Sequence, residues 1–137
     1  MAEDATLALQ TGIYTQLSAG GSGLSGITLY DNVPADAAMP YIRICSVVQS
    51  QNWRTTTTKG QNVYAQFDVW SDSTAGSTEC KTWLNLLSVA LTATAVTATG
   101  WSVIDQLVGR TDTVDLSTPE GHLYHGILEM QYHLQEV

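Results

Sequence analysis

The first apolar pattern along the chain repeats at helical spacing. Its apolar positions recur every four residues, at Ala5, Leu9, Ile13 and Leu17. An α-helix makes one turn in about 3.6 residues, so these side chains share one face. The pattern predicts a helix over residues 4–18, with Gln10 and Gln16 turned toward water. The glycines of residues 20–21 are expected to end it, as glycines after helices commonly do.

A second stretch with helical spacing covers residues 75–92. One face of this stretch collects Cys80, Trp83, Leu84, Leu87, Ala90 and Leu91. A single apolar face is typical of an amphipathic helix packed on a core. Residues 71–74 (Ser-Asp-Ser-Thr) precede it, and their side-chain oxygens are expected to cap its N-terminus.

Between and after these helices the apolar spacing changes to a period of two. Val63, Ala65, Phe67 and Val69 alternate with Asn62, Tyr64, Gln66, Asp68 and Trp70. Alternation of this kind predicts a half-buried strand with one face available to a partner. The last strand repeats the pattern, with Tyr124, Leu128, Met130, Tyr132 and Leu134 on one face.

Together, the β-rich segments predict five strands and three irregular connections. The strands are expected at residues 27–30, 41–49, 62–70, 101–110 and 122–135. Residues 32–40 read as a loop bounded by prolines, residues 50–61 as a long connection, and residues 111–121 as an acidic turn.

The order of elements is therefore helix, three strands, helix and two strands. Strands that follow one another with turns between them favour an antiparallel sheet, with the helices packed on its apolar face. We expect an α+β two-layer sandwich, with a mostly antiparallel sheet of about four to five strands and two helices on one face. The whole chain, residues 1–137, is predicted to form one domain.

Composition narrows the possible partners. Charged residues make up only 13% of the chain, about half the usual share, and Thr, Ser, Gln and Gly replace them. A surface with few charges is easily desolvated, so it suits contact with other proteins, although a plain soluble surface rich in threonine has the same composition. The net charge of −8 with only five Lys and Arg argues against gripping nucleic acid, because that needs many cations.

The sequence shows neither a secretion signal nor a membrane span. Its first ten residues are acidic and lack a basic region and a long apolar run, which argues against a signal peptide. No apolar segment of about 18 residues occurs either. Cys45 and Cys80 are expected to fill the core as unlinked thiols of a reducing cytoplasm, with a disulfide between them left as an alternative.

The sequence gives only weak signals for catalysis, cofactor binding or metal binding. Residues 21–26 match GxGxxG, but they follow a helix and precede a strand, which is the reverse of the order that dinucleotide binding needs. His122 and His125 are expected on opposite faces of the last strand, and His133 lies about 27 Å from His125 along it at roughly 3.4 Å per residue. The carboxylates of Asp31 and Asp36, and those of Asp112 and Asp115, fall in predicted loops. We therefore predict no catalytic residue, cofactor or metal site, and no enzyme.

The strongest candidate site is a surface for contact with other subunits. Arg54 and Lys59 flank four threonines, and they represent two of only five cations in the chain. Trp53 lies beside them, and tryptophan and arginine are enriched at interface hot spots. Tyr64 and Trp70 alternate with Phe67 and are expected on the face of the sheet that is turned away from the helices, where either another subunit or the N-terminal loops would cover them. The predicted interface residues are Trp53, Arg54, Thr55, Thr56, Thr57, Thr58, Lys59, Tyr64, Trp70 and Arg110.

The ordered set of segments resembles a family of tailed-bacteriophage proteins, the tail completion or tail terminator proteins of head–tail joining. An N-terminal helix and a Gly-rich break lead to YDNVPADAAMPYIRI. A W-x-T spacing at Trp53 and a Lys-Gly then precede NVYAQFDVWSD, an amphipathic helix follows, and HGILEMQYHL lies near the end. The resemblance spans nearly the whole chain, and prophages and gene transfer agents carry similar proteins.

This resemblance implies a structural virion protein without catalytic residues. Members form a ring, usually a hexamer, that caps the head-proximal end of a siphophage tail tube, stops tube polymerisation and joins the tail to the head connector. The implied partners are further copies of the chain, the tail tube protein and a connector or stopper protein. DNA would pass through the bore without specific binding, and no membrane would be involved. The implied location is the tail or neck of the virion, assembled in the host cytoplasm.

Two other classes remain open from the sequence. One is a different virion module of similar make, either a head–tail stopper or a tube protein. The other is a small α+β ligand-binding domain or enzyme that uses Asp31, Asp36 or His122.

Overall fold

A computed structural model describes residues 5–18, 24 and 27–137, and of residues 45, 46 and 49–51 it describes the backbone alone. In chain order the elements are α1 (Ala5–Ser18), β1 (Thr28–Tyr30), β2 (Tyr41–Arg54), β3 (Lys59–Ser71), α2 (Thr78–Thr92), β4 (Trp101–Asp115) and β5 (Tyr124–Glu136). The predicted order of helices and strands is confirmed. The GxGxxG match at residues 21–26 lies outside the described residues, apart from Leu24.

The five strands form one sheet in the order β1-β2-β3-β5-β4. β1 pairs with β2 in parallel, and the other three pairings are antiparallel. Both helices contact the same sheet, α1 mainly over β2 and α2 over β3, β5 and β4. We call the side of the sheet that carries the helices the helix face and the opposite side the open face. The predicted α+β two-layer sandwich is confirmed.

The core lies between the helices and the helix face. The alternation along β3 and β5 places the predicted apolar side chains inward, and Phe67, Leu128 and Tyr132 are fully buried. Both predicted helical stripes are buried as well, except that Trp83 and Ala90 are only partly covered. Burying one such side chain stabilises the fold by about 1.5–3 kcal/mol, so the two periodicities account for the layer architecture.

Both antiparallel hairpins extend further than their apolar residues predict. β2 continues to Arg54 and β3 begins at Lys59, so the long loop predicted at residues 50–61 is wrong and only residues 55–58 form the turn. β4 continues to Asp115 and β5 begins only at Tyr124, so the acidic turn predicted at residues 111–121 and the strand start predicted at residue 122 are wrong, and the connection comprises residues 116–123. Most of the added residues are polar and are exposed or half-buried, so backbone pairing contributes more than burial to these strand ends.

Two local predictions around the helices are also corrected. α2 begins at Thr78, and Ser77 at its N-cap makes no side-chain hydrogen bond, so the cap predicted at residues 71–74 is wrong. Ser71 is buried, and its Oγ donates instead to Glu79 Oε1 at 2.6 Å. Gln16 does not point to water, because its Nε2 donates to the carbonyl of Ala90 at 2.8 Å and joins α1 to the end of α2.

β2 and β4, the strands on either side of the central pair β3 and β5, each carry two bulges. In β2 the register shifts between Ile44 and Ser46 and between Gln49 and Gln51, and in β4 it shifts between Val103 and Asp105 and between Val108 and Arg110. These bulges border the same rows of the sheet. Ser46 is opposite Gln66, Gln66 is opposite Glu129, and Glu129 is opposite Arg110. Bulges increase local twist and bend, so the sheet is curved at these rows.

The structure describes the side chain of only one of the two cysteines. Cys80 is a free thiol buried between α2 and the helix face, as predicted, and its Sγ lies 3.8 Å from the carbonyl oxygen of Val69. Burial raises the pKa of the Cys80 thiol to about 11. The side chain of Cys45 is outside the described part of the chain, whereas the free thiol of Cys80 contradicts the alternative of a disulfide between the two.

Candidate interaction surfaces

The four threonines between β2 and β3 build a tight turn. Thr55 N–H donates to the carbonyl of Thr58 at 2.7 Å, and Thr58 N–H donates to Thr55 Oγ1 at 3.1 Å. The two hydroxyl groups also contact each other at 2.8 Å. Hydroxyl groups that close a turn in this way take the place of water molecules as hydrogen-bond partners of the backbone. Thr55 and Thr58 therefore shape the hairpin tip, which we define as residues 53–60.

Arg54 and Lys59 are exposed and directly opposite each other in the last pair of the β2–β3 ladder. Like charges that face each other across two strands destabilise the pairing. Neither side chain forms an ion pair with any carboxylate of the described residues. Among the described residues the pair is thus unfavourable, which is the kind of local conflict that functional surfaces carry.

Trp53 is half-buried, and it contributes to the hairpin itself. It pairs with Gly60, and a methyl group added at Gly60 would lie 2.1 Å from two ring atoms of Trp53. The indole ring therefore covers the glycine backbone. An aromatic side chain opposite a strand glycine is a known way to protect that weak point. Trp53 was expected only to contact partner proteins, but it also stabilises the pairing of β2 with β3.

On the open face, a polar cluster joins β3 and β5. Asp68 was expected to be available to partners, but its side chain is only 7% exposed. Its Oδ1 lies 3.0 Å from His125 Nε2 and accepts a hydrogen bond from Gln66 Nε2 at 3.3 Å. The His125 contact is close but poorly directed, since this nitrogen makes no hydrogen bond of good geometry with the described residues.

The same histidine stacks on Trp70. The two ring centroids are 4.1 Å apart, with an angle of 3° between the planes. Stacking and the Asp68 contact fix both rings, and a surface fixed in advance loses less entropy on binding. The cluster was missed in the sequence because Asp68 and His125 are 57 positions apart and meet only through the β3–β5 register.

The remaining candidates also lie on the open face. Tyr64 is exposed there, and Arg110 forms ion pairs with Asp112 at 3.1 Å and with Glu129 at 3.8 Å. The hydrogen bond from Arg110 lowers the pKa of the Asp112 carboxyl below its usual range. Val48, Leu107 and Val114 add exposed apolar area to the same face. These three residues were not predicted to belong to an interface. The sequence signal that could have identified them is an aliphatic residue at an outward-facing position of a predicted strand.

The described ranges bring together no group of side chains that could hold a metal ion. Asp31, Asp36 and His122 lie in exposed loops, so the expectation that His122 and His125 lie on opposite faces of one strand is wrong. His125 and His133 do share the open face. Among residues 5–18, 24 and 27–137, no group of three metal-ligating side chains comes together. None of the helices described here is long and apolar enough to cross a membrane.

Comparison with known proteins gives one family and one fold. The model of a protein family described as tail completion protein gp17 matches residues 11–134. A chain from a solved structure described as the virion of a native gene transfer agent particle superposes with a TM-score of 0.77. It is 16% identical, and the match covers 98% of this chain and 99% of that chain, so the likeness concerns the fold. No curated protein sequence matches.

Proposed function

Because this chain belongs to the tail completion protein gp17 family, we propose that it forms a closed ring at the head-proximal end of a siphophage-type tail tube. The ring is hexameric, stops polymerisation of the tube and joins the tail to the head connector. Its partners are further copies of the chain, the tube protein and a connector or stopper protein. The protein acts in the tail or neck of the virion after assembly in the host cytoplasm.

The observation that carries this proposal is the family match over residues 11–134, which leaves only short ends of the chain unmatched. The similarity in fold to a chain of a gene transfer agent virion supports it, since that match covers both chains almost completely.

The surfaces of the chain support a role in assembly. The open face carries Tyr64, Trp70 and Arg110, and the hairpin tip carries Arg54 and Lys59. Exposed apolar side chains beside polar groups suit protein contacts. We propose that these two surfaces contact neighbouring subunits or the adjoining virion proteins.

The charge of the chain suits passage of DNA. Each copy carries a net charge of −8, and few cations are free to hold phosphates. Electrostatic attraction between the ring and DNA is therefore weak, and the genome can move through the bore without being bound.

The test combines solution mass and location in the particle. Light scattering of the purified chain should give a discrete species of about 89 kDa, six times the 14.8 kDa of one copy. Electron microscopy with a label on the chain should place it between head and tail. Particles assembled without it should have tails of uncontrolled length. Indefinite tubes in solution would instead identify a tube protein, and a label at the distal tail tip would refute the proposal.

A further inference from the structure

The sheet has two long edges that the described residues leave uncovered. β4 pairs with β5 on one side, and no described strand pairs with its other side. β2 pairs with β1 only over Tyr41–Arg43, which leaves its edge from Ile44 to Arg54 without a strand partner in the same part of the structure. Because β2 and β4 lie toward opposite sides of the sheet, these edges form two different surfaces.

The β4 edge exposes aliphatic side chains that a solitary edge strand usually lacks. Ile104 is 55% exposed, Leu107 38%, Val108 41% and Val114 37%, and on the other edge Val48 of β2 is 53% exposed. A long edge strand with exposed aliphatic residues is a template for pairing with another strand. The length and side chains of β4 favour coverage by a strand from another molecule.

The two edge strands carry opposite charge. β2 contains Arg43 and Arg54 and no acidic residue, and only Arg54 lies in the stretch that β1 leaves unpaired, so that stretch has a net charge of +1. β4 contains three aspartates and Arg110, so its net charge is −2. Complementary charge attracts the two strands when they belong to different copies, although whole copies with a charge of −8 repel each other.

Strand direction also favours this contact. The pairings of β2 with β3, of β3 with β5 and of β5 with β4 are all antiparallel, so β4 runs opposite to β2. Rotation about an axis roughly parallel to the strands keeps their direction. The β4 strand of one copy would therefore meet the β2 strand of the next copy in antiparallel orientation, which is the more stable pairing.

We propose that the free edge of β4 in one copy pairs with the free edge of β2, residues 44–54, in the next copy. This inference rests on the proposed ring and names the contact that closes it. The interface is head-to-tail, as cyclic assembly requires, because each copy uses two different patches. The aligned bulges bend each sheet, so successive sheets form a closed wall rather than a flat ribbon.

The experiment blocks each edge with lysine, which natural edge strands use against pairing. Val48→Lys blocks the β2 edge, and Leu107→Lys blocks the β4 edge. Val89→Lys is the matched control, because Val89 is 54% exposed and lies on α2 rather than on either edge strand. Circular dichroism checks that all three variants keep the fold, and light scattering measures their mass.

Each edge variant alone should fall from the mass of the ring to that of one 14.8 kDa copy, whereas the control should remain a ring. A mixture of the two edge variants should give a 1:1 dimer and no ring, since one intact β2 edge can meet one intact β4 edge. If Val48→Lys and Leu107→Lys still form rings, the edge inference is wrong and the proposed ring stands. If the wild-type chain forms no discrete ring, the proposed function fails and the edge inference fails with it.

Discussion

The two cations at the hairpin tip give a prediction in which stability and assembly change in opposite directions. Arg54 and Lys59 face each other in the last β2–β3 pair and repel. Lys59→Gln removes the repulsion, and Lys59→Glu replaces it with attraction. Cross-strand charge pairs are worth roughly 0.2–1 kcal/mol, and both side chains are exposed, so we expect Lys59→Glu to raise the free energy of unfolding by about 0.5–1 kcal/mol.

The assay is thermal unfolding of the unassembled chain, followed by circular dichroism at low ionic strength. For a domain of this size the gain corresponds to a rise in Tm of roughly 2–4 °C. Lys59→Gln should give about half of that rise. In about 1 M salt the Debye length falls to roughly 3 Å, so the differences between the variants should largely disappear.

Assembly should respond in the other direction. If the tip cations contact an acidic surface of a neighbouring protein, Lys59→Glu weakens that contact while it stabilises the monomer. A Tm that does not rise at low salt, or that rises equally in high salt, would refute the reasoning about the charge pair. Normal assembly of Lys59→Glu would show that the positive charge of Lys59 does not serve a partner.

Two further predictions concern the core. A methyl group at Gly12 would lie 1.9 Å from the carbonyl oxygen of Thr97, so Gly12→Ala should destabilise the fold by about 1–3 kcal/mol in denaturant unfolding. Gly121→Ala, where nothing lies within 4 Å, is the control, and an equal loss in both variants would contradict this account. The Cys80 pKa is raised from 9.0 to about 11 by burial, so the unfolded thiol ionises first as pH rises. Stability should therefore fall between about pH 9 and 11, and Cys80→Ala, followed by urea unfolding across that range, should show a smaller fall than the parent chain.

The sequence predicts an element of the fold well only where buried apolar residues recur at the spacing of a helix or a strand. α1 and β5 follow directly from their apolar spacing, because each must turn one face to the core. The ends of the hairpins were missed because the residues around Trp53 and Asp115 are polar and carry no burial pattern. The start of α2 was placed too early, since Ser71 looks like a cap in the sequence but bonds to Glu79 in the fold.

The interaction surfaces were predicted only in part. The sequence draws attention to Arg54 and Lys59 because cations are scarce, and to Tyr64 and Trp70 because of their alternation. It could not show that Arg54 and Lys59 face each other, since that depends on a turn confined to residues 55–58. The packing of Trp53 over Gly60 likewise depends on the strand register. A shift of one residue would abolish this contact.

The sequence by itself determined the order of the elements, the residues of the helix face and the layer architecture. These features follow from local periodicity, since a helix or a strand exposes its apolar positions at fixed intervals along the chain. Only the tertiary structure decided the buried contact of Asp68 with His125, the length of the hairpins and the presence of two edges of opposite charge that the described strands leave unpaired. Each of these depends on which strands are neighbours and in what register they pair, and that information lies between distant segments rather than within any one of them.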